Sequence, residues 1–135
     1  MTLLAWNEKF ELGYAEMDDT HREFVDLLNR LGEAAEADVL AAMDAFVAHT
    51  EAHFGQEDRW MDELNFPPRQ SHQGEHANVL QIIREVRTRV ANGETHYGKT
   101  LAAALAEWFE HHAGTMDTML AYYIKNPKVI EQAAA

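Results

Sequence analysis

Between His53 and His76 the chain carries two pairs of metal-capable side chains, His53 with Glu57 and His72 with His76, each pair spaced four residues apart. Residues four apart stack on one face of an α-helix, so each pair asks for a helix. Asn65-Phe66-Pro67-Pro68 breaks the stretch between them, because proline turns the residue before it away from helical geometry. Two helices joined by a turn bring both faces together. No other feature of the chain limits the fold as much.

The rest of the chain supplies helices to match. Residues up to about Met17 hold Trp6, Phe10, Leu12, Gly13 and Tyr14 without a sustained period. They read as an irregular arm whose aromatic side chains pack onto the domain. Asp18-Asp19-Thr20 supplies N-cap and first-turn residues. A first helix follows with His21, Phe24, Val25, Leu28 and Leu31 along one face, fading near Ala37. Asp38 caps a second, whose stripe runs Met43, Phe46 or Val47, Thr50, His53 or Phe54, Glu57, Trp60 or Met61, and Leu64. The third carries His72, His76, Val79 or Leu80, Ile83, Val86 and Val90, and Asn92-Gly93 stops it. The fourth runs from near Thr95 to about Ile124. One stripe on it holds Tyr97, Leu101, Leu105, Trp108, His112, Thr115 or Met116, Met119 and Tyr123; a flanking stripe holds Phe109, Ala113, Asp117, Leu120 and Ile124. The Ala-rich tail from Lys128 adds a last turn or frays. These periods predict an all-α, up-down-up-down four-helix bundle with an irregular N-terminal arm, one domain spanning residues 1–135.

Composition narrows the chemistry. With no cysteine, thiolate zinc sites, iron–sulfur clusters and disulfides are excluded, and a metal must sit on His, Asp or Glu. A formal charge of -12 argues against binding a nucleic-acid backbone or an anionic membrane. The N-terminus has no basic leader pattern, and no apolar run approaches the roughly 20 residues of a membrane helix. A cytoplasmic monomer is the expectation.

The polar groups on the apolar stripes are His21, His53, Glu57, His72, His76, His112 and Asp117. A buried carboxylate without a partner costs several kcal/mol, so these positions want a metal or an ion partner. A lone histidine on an apolar face is ordinarily a satisfied core group. Seven such residues over all four helices are not. Five imidazoles and two carboxylates exceed what one tetrahedral zinc uses, and suit two adjacent metals bridged by the carboxylates. The donor types fit iron, with manganese and zinc still open. Stripe counting leaves His111, His112 and Asp117 ambiguous, since five residues on an α-helix turn about 140°.

His21, His53-Phe54-x-x-Glu57, His72-x-x-x-His76 and Trp108-x-x-x-His112-x-x-x-x-Asp117 together resemble the hemerythrins, specifically the single-domain bacteriohemerythrins. The likeness covers essentially the whole chain and decides for His112 over His111. It implies two iron ions, one held by His72, His76 and His112 and the other by His21 and His53. Glu57 and Asp117 would bridge them beside an oxo or hydroxo group. It further implies reversible dioxygen binding at the less-ligated iron, hence a carrier, store or delivery protein and not an enzyme. Physical chemistry agrees, because a His-rich site does not stabilise high-valent iron as a carboxylate-rich one does. Two alternatives are a di-iron peroxidase or oxidase, and an oxygen or redox sensor acting through a separate partner.

The chain departs from the family pattern in having Thr20 before the first ligand, and Ala113-Gly114 where large aliphatic residues are usual. The small pair is expected to open the dioxygen pocket unless Met116, Met119, Phe24 or Trp60 fills it, giving faster autoxidation or access to peroxide. Trp60, Trp108 and Tyr123 are expected to wall the site, and Met43, Met61, Met116 and Met119 to fill the core. His49 and His111 read as histidines on the surface or directly behind a ligand, and His96 as a loop residue. Glu33, Glu36, Glu63, Glu85 and Glu107 read as solvated faces.

Overall fold

The computed structural model describes residues 2–126, so the tail from Lys128 lies outside the described residues. Five α-helices, α1 (Ala15–Glu33), α2 (Val39–Glu63), α3 (Arg69–Ala91), α4 (His96–His112) and α5 (Thr118–Lys125), make four rods. The last rod is composite, because a π-helical turn over Ala113–Asp117 joins α4 to α5. Rods pack on their neighbours in sequence, and α1 also packs on α4, which closes the bundle. Among the described residues there is no β-strand.

The apolar stripes bury as their spacing predicts. Phe24, Val25, Leu28 and Leu31 of α1 meet Met43, Phe46 and Phe54 of α2, Ile83 and Val90 of α3, and Leu101, Leu105 and Phe109 of α4. Each such side chain contributes about 1.5–3 kcal/mol when fully buried. The arm packs on as expected, with one 3-10 turn at Glu8–Phe10. Phe10 is buried against Phe109, and Asn29 clamps Leu3 and Leu4 through their backbone.

Three boundaries differ from the sequence reading. Helix α1 starts earlier, at Ala15, so Asp18 is not its N-cap. The Asp18 carboxylate instead accepts from the backbone N–H groups of Leu12 and Gly13, tying the arm to the helix. Asp38 stands at the N-cap of α2 without making a side-chain cap bond. His96 opens α4 and is not a loop residue.

The turn between α2 and α3 is closed by Asn65 more than by the prolines. Asn65 takes φ +50°, and Phe66 N–H donates to Met61 C=O while Phe66 and Met61 are both buried. This is a left-handed helix stop sealed by an apolar contact. Around it, Phe66 and Met61 join Met17, Leu120, Ala121 and Tyr123 in a second core cluster at this end of the bundle. Gly93, at φ +97°, ends α3 where the sequence placed the stop.

The π-turn changes which residues of the fourth rod face inward. Up to His112 the main stripe is buried or half-buried; beyond it Ala113, Asp117, Leu120, Ala121 and Tyr123 are inside. Thr115 and Met119, expected on the buried stripe, are exposed. One extra residue in the turn accounts for the slip.

Candidate metal centre

All seven candidate residues are buried, and the fold gathers them into one cluster. His21 comes from α1, His53 and Glu57 from α2, His72 and His76 from α3, and His112 from the end of α4. Asp117 closes the π-turn. A π-helix bonds residues five apart and places them on one face. The five-residue interval from His112 to Asp117 is therefore served by local backbone geometry that an α-helix lacks.

The histidines form two groups. On one side the Nε2 atoms of His72 and His76 lie 3.2 and 3.3 Å from that of His112. On the other, His21 and His53 lie 5.3 Å apart between ring centroids, their planes tilted by 55°. Between the groups lie the carboxylates, each dividing its two oxygens. Glu57 turns Oε1 to His76 at 3.3 Å and His72 at 3.6 Å, and Oε2 to His53 at 2.8 Å and His21 at 3.5 Å. Asp117 turns Oδ1 to His72 at 3.0 Å and His112 at 3.1 Å, and Oδ2 to His21 at 3.1 Å.

The donor set fits a pair of metal ions. With metal–nitrogen bonds of about 2.1 Å, nitrogens on adjacent octahedral corners lie about 3.0 Å apart and on tetrahedral corners about 3.4 Å. The three Nε2 atoms fall in that range, and the two carboxylates bring this group to five donors. His21, His53 and Glu57 form the second group, which Asp117 Oδ2 joins through His21. Several of these atoms have no hydrogen-bond partner despite full burial, namely both nitrogens of His21, Glu57 Oε1 and both oxygens of Asp117. Such orphans are costly unless a cation satisfies them.

Electrostatics within the metal-free cluster follow from the same contacts. Burial lowers the His21 imidazole, but Asp117 and Glu57 raise it to about 10. His76 is likewise lowered by burial and raised to about 9 by Asp58 and Glu57. Burial pushes Glu57 up, yet the histidines around it, His53 foremost, hold it well below the usual carboxylate range. Asp117 is pushed up by burial and by the Glu57 charge, and His112 and His21 outweigh both.

Aromatic rings enclose the cluster. Phe54 stacks on His76 at 4.1 Å, Trp108 stacks on His112 at 4.4 Å, and Phe109 meets His21 edge-on at 5.1 Å. Trp108 thus walls the site as expected. Trp60 and Tyr123 pack instead in the second core cluster, Trp60 against Tyr14 and Tyr123 against Phe66. Met43 and Met61 are fully buried, whereas Met116 and Met119 line an apolar cleft of about 350 Å³ that reaches His72. Neither Ala113 nor Gly114, where an opening was expected, lines that cleft. Gly114 is exposed, and a β-carbon there would meet no atom within 4 Å. Ala113 is buried in the main core, and Phe24 stacks on Phe109 at 4.7 Å on the His21 side.

His111 and His96 are exposed and outside the cluster, as are the five glutamates read as solvated. His49 is half-buried, lowered to about 4 by burial and by His53, and takes no part in the donor set. Two residues near the site escaped the sequence reading. Asp58 accepts from His76 Nδ1–H at 2.8 Å, and Glu75 accepts from His112 Nδ1–H at 2.9 Å. Each adjoins a candidate ligand in sequence, Asp58 after Glu57 and Glu75 before His76, and that adjacency was the available signal.

The family model described as the Hemerythrin HHE cation binding domain matches residues 12–124. The chain belongs to the hemerythrin family. A bacteriohemerythrin of Ralstonia nicotianae is 44% identical over 100% of both chains. Hemerythrin subunit alpha of Lingula anatina is 30% identical, covering 84% of this chain and 88% of its own. A solved hemerythrin carrying a leucine-to-tyrosine substitution superposes with a TM-score of 0.83 at 19% identity, over 90% of this chain and 96% of that one. It shares the four-helix fold. No described helix is long and apolar enough to cross a membrane.

Proposed function

We propose that the chain binds dioxygen reversibly at a non-haem di-iron centre and serves as an oxygen carrier or store. The observation that carries this reading is the division of Glu57 and Asp117, each presenting one oxygen to either histidine group. One carboxylate so placed is a shared core charge. Two of them facing the same pair of groups make a two-metal cradle.

In this reading His72, His76 and His112 hold one iron, His21 and His53 hold the other, and Glu57 and Asp117 span both. Iron held by these residues would supply the redox chemistry for binding and releasing dioxygen. The chain's own part is to keep the two positions unequal. The five-donor side is close to saturated, and the His21–His53 side has fewer protein donors and so keeps room for a ligand. Phe109 and Phe24 form an apolar wall on that side, and a cleft lined by Thr20, Glu23, His49 and Gln56 reaches His53. The relatives named hemerythrin and bacteriohemerythrin support the assignment. With Gly114 turned to solvent and Phe24 against Phe109, the opened-pocket enzyme loses the feature that favoured it.

The test is anaerobic reconstitution with ferrous iron, followed by cycles of dioxygen and vacuum. We expect two irons per chain and a visible charge-transfer band that appears with dioxygen and vanishes on its removal. Irreversible bleaching with peroxide turnover would assign an enzyme instead.

A further inference from the structure

The two histidine groups are not supported alike from behind. A metal-bound imidazole ordinarily donates its remote N–H to a carboxylate or carbonyl, which sets the tautomer, orients the ring and strengthens the donor. On the three-histidine side this support is built in for two of the three rings, the buried Nδ1 of His72 having no partner among the described residues. His76 Nδ1–H donates to Asp58 Oδ1 at 2.8 Å. His112 Nδ1–H donates to Glu75 Oε1 at 2.9 Å, and that same oxygen accepts from Trp108 Nε1–H at 2.8 Å. Trp108 also stacks on the His112 ring, with 21° between planes, so the imidazole is fixed in direction and in tilt. The Asp58 segment is tied down in turn, since Gln73 donates to the Asp58 backbone carbonyl at 3.2 Å.

On the two-histidine side nothing comparable exists. The Nδ1 atoms of His21 and His53 are buried and have no hydrogen-bond partner among the described residues. Glu23 and Arg59 share a cleft with His53, but neither bonds a ring nitrogen of His21 or His53. Phe109 and Phe24 face the rings of His21 and His53, and His49 stands 5.6 Å from His53.

We propose that Asp58 and Glu75 are positioning residues that make the three-histidine position the tighter of the two, so that the centre fills in a fixed order. This rests on the two-metal reading above. The His72–His76–His112 position is loaded first and keeps its ion, and the His21–His53 position exchanges more readily. The same asymmetry concentrates rigidity in the saturated half and leaves adaptability in the half that is open to a ligand.

The experiment uses the full chain, metal-free, and Co²⁺ alone as the probe, followed by calorimetry and by visible absorption, with circular dichroism to check the fold. Wild type is expected to take two equivalents in two resolved steps. Asp58→Asn and Glu75→Gln keep shape and remove charge, and each is expected to weaken the first step by about 10–100-fold, the usual consequence of losing such a partner. The second step stays where it was. Glu63→Gln, exposed at the end of α2, is the control and changes neither step. A general structural role for Asp58 or Glu75 would weaken both steps together, and that result overturns the proposal, as does an unaltered first step. Fewer than two equivalents in wild type overturns the two-metal reading itself. Two equivalents with unaffected variants leaves that reading standing and removes only this inference. The two substitutions lie on different helices, so either decides the matter if the other prevents folding.

Discussion

Phe109 stands where packing and ligand access meet. Its ring is edge-on to His21 and stacked on Phe24, and it is buried on the side with fewer protein donors. Truncating it to alanine leaves a cavity and costs about 3–5 kcal/mol. The same cavity admits water beside His21, so Phe109→Ala is expected to autoxidise faster than wild type in stopped-flow measurements, at a temperature where both remain folded. Gly114→Leu is expected to change nothing in that assay, because a side chain at 114 meets open space. Equal rates for Phe109→Ala and wild type would remove Phe109 from the barrier. Residues of this kind mark how far the sequence could be read. The seven candidate ligands were legible because each interrupts an apolar stripe, and a polar group in a core position needs a reason. The direction of Gly114 was not legible, since it depends on a local change of helix pitch that no apolar period announces. Asp58 and Glu75 were missed for another cause. A half-exposed acid beside a ligand looks like solvated surface until the neighbouring helix is placed against it.

At the level of elements, the π-turn is the irregular piece, and its consequence can be tested by removing a residue. In an α-helix residues five apart are separated by about 140°, and residues four apart by about 40°. The turn at Ala113–Asp117 absorbs one extra residue so that Asp117 faces the cluster with His112. Deleting Gly114, which is exposed and touches nothing at its β-position, shortens the interval to four and permits a plain α-helix. Asp117, Leu120 and Tyr123 then keep their inward faces. This deletion is expected to retain two metal ions per chain and to melt no lower than wild type, measured by metal analysis and circular dichroism. Deleting Gly55 is the contrasting case. It turns everything beyond it on α2 by about 100°, carries Glu57 away from His53, and is expected to abolish loading. Loss of metal from the Gly114 deletion would show that the wider turn itself is required. The four rods and their stops at Asn65 and Gly93 were readable in advance, because apolar spacing and left-handed stops are local signals. The break in the fourth rod was visible only as an awkward five-residue interval.

Across the whole molecule, the cluster ties four rods through seven buried polar groups, and metal binding and folding must therefore be linked. In the metal-free protein imidazoles carry the compensating charge; burial lowers His72, but Asp117 and Glu57 raise it, alongside two larger shifts. His21 is raised to about 10 and His76 to about 9, facing Glu57 and Asp117, which stay ionised. A group whose folded pKa lies above its ordinary value of about 6.5 stabilises the fold fully below that value, and the contribution is lost as pH rises through the folded pKa. The metal-free protein is accordingly expected to melt at a lower temperature at pH 10 than at pH 7. The metal-loaded protein shares every other titrating group, but in it the Nε2 atoms of His21 and His76 would hold metal in place of a proton, so this part of the decline should be missing from it. The same protons must leave when metal enters. Calorimetry in buffers of different ionisation heat should therefore find about two protons released per chain near pH 7.5, with affinity falling as pH is lowered. Metal added at a thousandfold excess over its dissociation constant stabilises the fold by about 4 kcal/mol, which offsets part of the alkaline loss. Parallel melting curves for loaded and metal-free protein between pH 7 and pH 10 would show that His21 and His76 do not carry these protons, and that the carboxylates are neutralised in some other way.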